Sequence, residues 1–175
     1  MELAQRAALD EVHHARICFA VASAYLGQPL GPMALDLTGS LLGELRLEEV
    51  VAEAVSEGCV GETLAALEAS ALRDSVHVAA LKGAWAIIAE DEAAHAELAW
   101  TFVSWAVDRG GSSVREAAHR GFSVALRSVE QEPVLTQASE AALESLGLLG
   151  SRARSELRRR ALDETLRPAA ARLWG

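Results

Sequence analysis

A helix that carries a carboxylate and an imidazole in its oily stripe has few ways to pack. In "IAEDEAAHAELAW" and its flanks, Trp85, Ile88, Glu92, His95, Ala99 and Phe102 recur three and four residues apart, the spacing of one helical face. A carboxylate moved into apolar surroundings without a partner costs several kcal/mol. The segment must therefore be a helix in a bundle whose neighbours bring that partner. The rest of the chain agrees with an all-α domain: Ala and Leu dominate and runs of β-branched residues are few.

Periodicity and breakers divide the 175 residues into helices. The first is expected over Glu2–Leu26, stopped by "GQPLGP"; it starts without a Ser, Thr, Asp or Asn to cap it. A link through "MALDLTGSLLG" leads to a second helix over Glu44–Leu72, then a short turn at "RDS". The third spans Val76–Asp108 and ends at "RGGSS"; a fourth, capped by Ser113, reaches Glu130. Shorter helices follow over Leu135–Leu146 and Ser151–Leu173. The short turn makes helices two and three antiparallel neighbours, and the long link before them permits a crossover, so a bundle core over 1–108 with a helical extension over 109–175 is expected.

All five histidines follow an acid by three residues: Asp10–His13, Glu11–His14, Asp74–His77, Glu92–His95 and Glu116–His119. Random placement of the 25 acids gives fewer than one such pair on average. Exposed pairs of this kind simply stabilise a helix. Two fall instead on seams. On the first helix, positions 4, 7, 11, 14, 18, 21 and 25 read Ala, Ala, Glu, His, Cys, Val, Tyr; on the third, Glu92 and His95 hold the equivalent places. Carboxylate oxygen and imidazole nitrogen one turn apart suit iron or manganese, so Glu11, His14, Glu92 and His95 are candidate metal ligands. Glu116–His119 reads as a solvated salt pair, Asp74 as a helix cap with His77 incidental, and His13 as a residue on a neighbouring face.

The second helix offers Glu53, Glu57 and Glu62. With a turn centred at Arg73–Asp74 and ~1.5 Å of rise per residue, Glu57 comes level with Glu92, and it shares a seam with Val50, Val60, Leu64 and Leu67. Glu57 is thus the expected third-helix-facing ligand. Glu53 reads as a rim or alternate carboxylate. Glu62 lies on a face of small residues (Gly58, Gly61, Ala65, Ala69) where helices approach closely; it reads as a partner for an arginine or a cap for a neighbouring helix, and joins the site if the turn is placed elsewhere.

"ALDEVHHARICFAVASAYLGQPLGP", "EGCVGETLAAL" and "IAEDEAAHAELAW" resemble uncharacterised bacterial ferritin-like proteins, related in site design to rubrerythrin and other di-iron carboxylate proteins. The resemblance implies a ferritin-like helical bundle with additional C-terminal helices and two metals held by four glutamates and two histidines. On this sequence those ligands are Glu11, His14, Glu57, Glu92 and His95. The fourth glutamate belongs to a helix preceding the one with Glu11, and the chain has none. The missing first helix is expected to be lost, supplied by another subunit in a homodimer or higher homo-oligomer, or absent from a degenerate bundle. The implied cofactor is iron, two ions per complete site, with manganese possible. The implied activity is oxidoreductase chemistry on oxygen or peroxide. The alternative is a non-enzymatic scaffold that oligomerises or binds a partner.

Composition narrows the partners. A formal charge of −9 argues against nucleic acid and anionic membranes, and no apolar run approaches a membrane span. The basic cluster "SRARSELRRRALDE" is interrupted by acids and reads as a helix face. Cys18 and Cys59 fit neither zinc spacing nor a disulfide scaffold and are expected to be reduced, buried thiols of a cytoplasmic protein. Tyr25 is expected in the core or, less simply, as a redox relay. Trp85, Trp100 and Trp105 are expected as core or interface residues.

Overall fold

The computed structural model describes residues 1–34, 36, 38, 44–131 and 140–174. They are helical, with no strand among them. They form two compact units, Met1–Arg46 and Leu47–Gly175.

The first unit is built on α1 (Glu2–Leu26), whose bounds are those the periodicity requires. No side chain caps its start, and Gly27, at φ 66°, closes its end in the left-handed region that glycine enters without a Cβ penalty. The Ser23 hydroxyl then accepts the Leu30 amide at 2.8 Å, turning the chain back along the helix end. Cys18 and Tyr25 are exposed on α1, which corrects the buried thiol and the core tyrosine expected there.

The second unit begins with a continuous helical run that changes character midway. It is α-helical in α2 (Leu47–Glu53), π-helical over Ala54–Glu62, and α-helical again in α3 (Thr63–Ser75). The expected turn at "RDS" is still helix; the reversal falls on Val76, His77 and Val78, whose flanking valines are the poorer helix formers. Asp74 accordingly pairs with Arg73 at 2.8 Å instead of capping a helix. α4 (Ala79–Arg109) then runs back along the first run, and α5 (Gly111–Gln131) begins at once, with Ser113 inside the helix. The early part of the expected Leu135–Leu146 helix lies outside the described residues; its described part is α6 (Glu140–Ser145). α7 (Ser151–Ala161), a short π segment (Leu162–Leu166) and α8 (Arg167–Arg172) complete the chain.

The core joins Val51, Val55, Cys59 and Leu64 of the first run to Val103, Ala106 and Val107 of α4, to Val114, Ala118 and Phe122 of α5, and to Leu162 and Leu166 near the C-terminus. α5 and the segment from Ala161 to Ala170 therefore bury apolar side chains on the same core as the run Leu47–Ser75 and α4. The basic cluster lies on a helix face of internal ion pairs: Arg154 and Arg158 of α7 both reach Glu68 of α3, and Arg167 meets Glu130 and Asp163. Glu68 and Arg158 are mostly buried, at 14% and 19% side-chain exposure, and Glu68 is the carboxylate that Arg154 and Arg158 share, so its removal takes an ion pair from both. Glu68→Ala is expected to cost about 1–3 kcal/mol, measured as a lower urea midpoint at unchanged slope, because the loss lies in the folded state.

Candidate metal centre

The inward stripe of α4 is the one the spacing requires. Ile88, Glu92 and His95 are buried, and Trp85, Ala99 and Phe102 are half-buried on the same face. Glu92 Oε2 stands 3.4 Å from His95 Nδ1. The run opposite brings Glu62 to them: one ligand atom from each of Glu62, Glu92 and His95 lies within 4.8 Å of the others.

These distances fit a cation. Oxygen and nitrogen donors ~2.1 Å from one ion stand about 3.0–3.4 Å apart as neighbours and about 4.2 Å apart when opposite. The Glu92–His95 separation is that of neighbouring ligands. The 4.8 Å outer spread closes with a contraction of about half an ångström, within the reach of a glutamate rotamer. Ionised carboxylates only accept hydrogen bonds, and two of them at this range repel unless positive charge lies between. The cluster of glutamate and histidine side chains is thus able to hold a metal ion.

Glu62, and not Glu57, supplies this carboxylate because of two shifts that reinforce each other. Moving the reversal from Arg73–Asp74 to His77 places Glu62 and Glu92 equally far along their helices from the turn, hence level. Hydrogen bonds reaching five residues back in the π segment also widen its turns and rotate the helix beyond it. The buried positions become Val51, Val55, Cys59, Val60 and Leu64, at spacings of four and five, and the expected seam through Glu57 is lost. Glu57 and Glu53 are exposed; Glu62 is half-buried. The small-residue face did carry the signal: a Cβ on Gly58 would lie 2.5 Å from Ala99 Cβ, so the two helices touch one turn beyond His95.

In the first unit, Glu11 and His14 form their own pair, with His14 Nδ1 3.5 Å from Glu11 Oε1. His14 is buried, whereas Glu11 is exposed. The half-buried and buried positions of α1 are Ala7, Asp10, His14, Ile17, Phe19 and Val21–Ser23; Asp10 and Ile17 stand one residue off the expected seam, which ran through Glu11 and Cys18. His13 is exposed. Glu116 pairs with Arg120 at 3.4 Å, and His119 instead packs on the Trp174 ring, 5.4 Å between centroids. No family model, curated protein or solved structure matches the chain. No helix among the described residues is long and apolar enough to cross a membrane.

Two outcomes check this geometry. Glu62→Gln is expected to weaken Mn(II) binding, followed by electron spin resonance, by more than the roughly 10–100-fold typical of losing an outer hydrogen-bond partner, while Glu57→Gln leaves it unchanged. The cysteines should also separate. Burial pushes the Cys59 thiol up to about 12 and withholds the thiolate that reacts, whereas Cys18 is exposed. At pH 8, Ellman's reagent should titrate one thiol in the folded protein and the second only in denaturant.

Proposed function

We propose that this chain is a ferritin-like protein that holds iron, or manganese, through carboxylates and imidazole and uses it in oxidoreductase chemistry on oxygen or peroxide. The observation that carries the reading is the buried Glu92–His95 pair with Glu62 brought to it across the helix interface. Two carboxylates and one imidazole are a hard-to-borderline donor set, suited to Fe(II) or Mn(II) and poorly suited to copper(I). On the strength of the repeated motif, Glu11 and His14 are proposed as a second pair of ligands, giving two ions per complete site.

The chain's own residues have distinct tasks in this reading. Glu62 and Glu92 would hold the cation through carboxylate oxygen and offset its charge. His95 contributes a neutral nitrogen that holds its place by virtue of the rigid helix beneath it. Ile88, Ala89 and Ala96, all buried on α4, exclude water from this side of the cluster. A redox-active ion bound there supplies electron transfer and Lewis acidity, which these side chains lack. A cytoplasmic setting and a homo-oligomer belong to the same reading. Self-association is supported by the apolar side chains α1 leaves exposed, among them Leu3, Leu9 and Val12.

Protein isolated from iron-supplemented cells is expected to carry at least one tightly held iron per chain by elemental analysis. His95→Ala should remove it, and anaerobic loading with Fe(II) followed by air should give a near-ultraviolet Fe(III) absorption that His95→Ala lacks. Trace metal alone in the parent protein, with folding intact, would leave the non-enzymatic scaffold in its place.

A further inference from the structure

The junction at the end of the π segment contains a hydrogen-bond chain that the metal centre itself does not use. Thr63, the residue after Glu62, donates its hydroxyl to the Cys59 carbonyl at 2.6 Å. The same hydroxyl oxygen accepts the indole N–H of Trp100 at 3.2 Å. Where π geometry returns to α geometry, the Thr63 amide goes to the Val60 carbonyl, three residues back, so the side-chain hydroxyl serves a carbonyl at the change of register.

Each end of this chain is anchored. Trp100 stacks on Phe122 at 5.3 Å between centroids and 21° between planes, and Phe122 is a buried core residue of α5. Cys59 is fully buried on the other side. The Gly58–Ala99 contact holds the two helices together one turn before Thr63 on the first run and next to Trp100 on α4. Rotation of the π segment about its axis, which would carry Glu62 away from Glu92 and His95, must therefore break the Thr63–Trp100 bond.

We infer that Trp100 and Thr63 are positioning residues for the metal ligand Glu62: the indole-to-hydroxyl bond sets the rotation of the π segment and thereby the fit of the centre to a divalent cation. The inference rests on the assignment of Glu62, Glu92 and His95 as ligands. Outer hydrogen bonds that orient ligands ordinarily change metal affinity by about 10–100-fold when removed, and that is the size of effect assigned to this pair.

The test uses Co(II) as probe on the full chain. Trp100→Phe keeps a ring against Phe122 and deletes the N–H; Thr63→Val keeps the shape and deletes the hydroxyl; Thr63→Ser keeps the hydroxyl. Trp100→Phe and Thr63→Val are each expected to weaken Co(II) binding about 10–100-fold and to alter the visible spectrum of the bound ion. The double variant should be no worse than either alone, since one interaction is lost in all three. Thr63→Ser should restore affinity and spectrum. Amide exchange in the metal-free protein should quicken over 54–62 in both disruptive variants. Wild-type affinity and spectrum in folded Trp100→Phe and Thr63→Val would overturn the inference, even if both unfold more easily, because the pair would then be structural only. Failure of the parent protein to bind Co(II), or binding indifferent to Glu62→Gln and His95→Ala, overturns the ligand assignment itself and this inference with it.

Discussion

An acid and an imidazole in the apolar stripe of one long helix set the terms for the rest of the second unit. Glu92 and His95 occupy places where α4 would otherwise bury hydrocarbon, and the desolvation of a carboxylate there is large enough to demand compensation from its neighbours. The apolar core does not surround them. Its main cluster holds Val103, Ala106 and Val107 of α4, with Ala99 packed against it, while Ile88, Ala89 and Ala96 are buried nearer the polar pair. Close packing on the Ala99 side gives the polar pair a rigid wall, and the Gly58–Ala99 contact brings the opposing backbone near enough for a glutamate to reach across.

The π segment reconciles two demands on the first run of helix. Its early residues must face α5, where Gly121 lies against Val55 and the Ala52 carbonyl; its later residues must face α4. A regular α-helix has one fixed rotation per residue, ~100°, and cannot serve both directions with the residues present. Widening the turns between Ala54 and Glu62 changes the phase and turns Cys59, Val60 and Leu64 inward together. The second π segment, Leu162–Leu166, also faces the core, with Leu162 and Leu166 buried. Glu62 is inward for the same reason that the valines are: it rides on a helix whose rotation is dictated by packing.

Charge takes a matching part at the periphery. The basic run that in sequence reads as a helix face makes ion pairs within its own protein, with Arg154 and Arg158 converging on Glu68, and Arg167 beyond it meets Glu130 and Asp163. The pairs to Glu68 and Glu130 join segments far apart in sequence, α3 to α7 and the end of α5 to α8, while Arg167–Asp163 is a local pair one turn apart. Arg159 and Arg160 meet acids within one turn of themselves, Glu156 and Glu164, whereas Arg154 and Arg158 reach across to another helix.

Residue order alone made the local features legible. The all-helical character, the bounds of α1 and the inward face of α4 with Glu92 and His95 come from periodicity, which each helix carries in its own residues. Which glutamate of the first run faces α4 is a different kind of quantity. It depends on rotation and rise accumulated from a distant turn, so a three-residue error at Val76–Val78 and a widened turn at Ala54–Glu62 together exchange Glu57 for Glu62. Neither change has a strong local signature, since both leave the chain helical. Tertiary packing chose between them because only there do Gly58, Ala99, Thr63 and Trp100 meet.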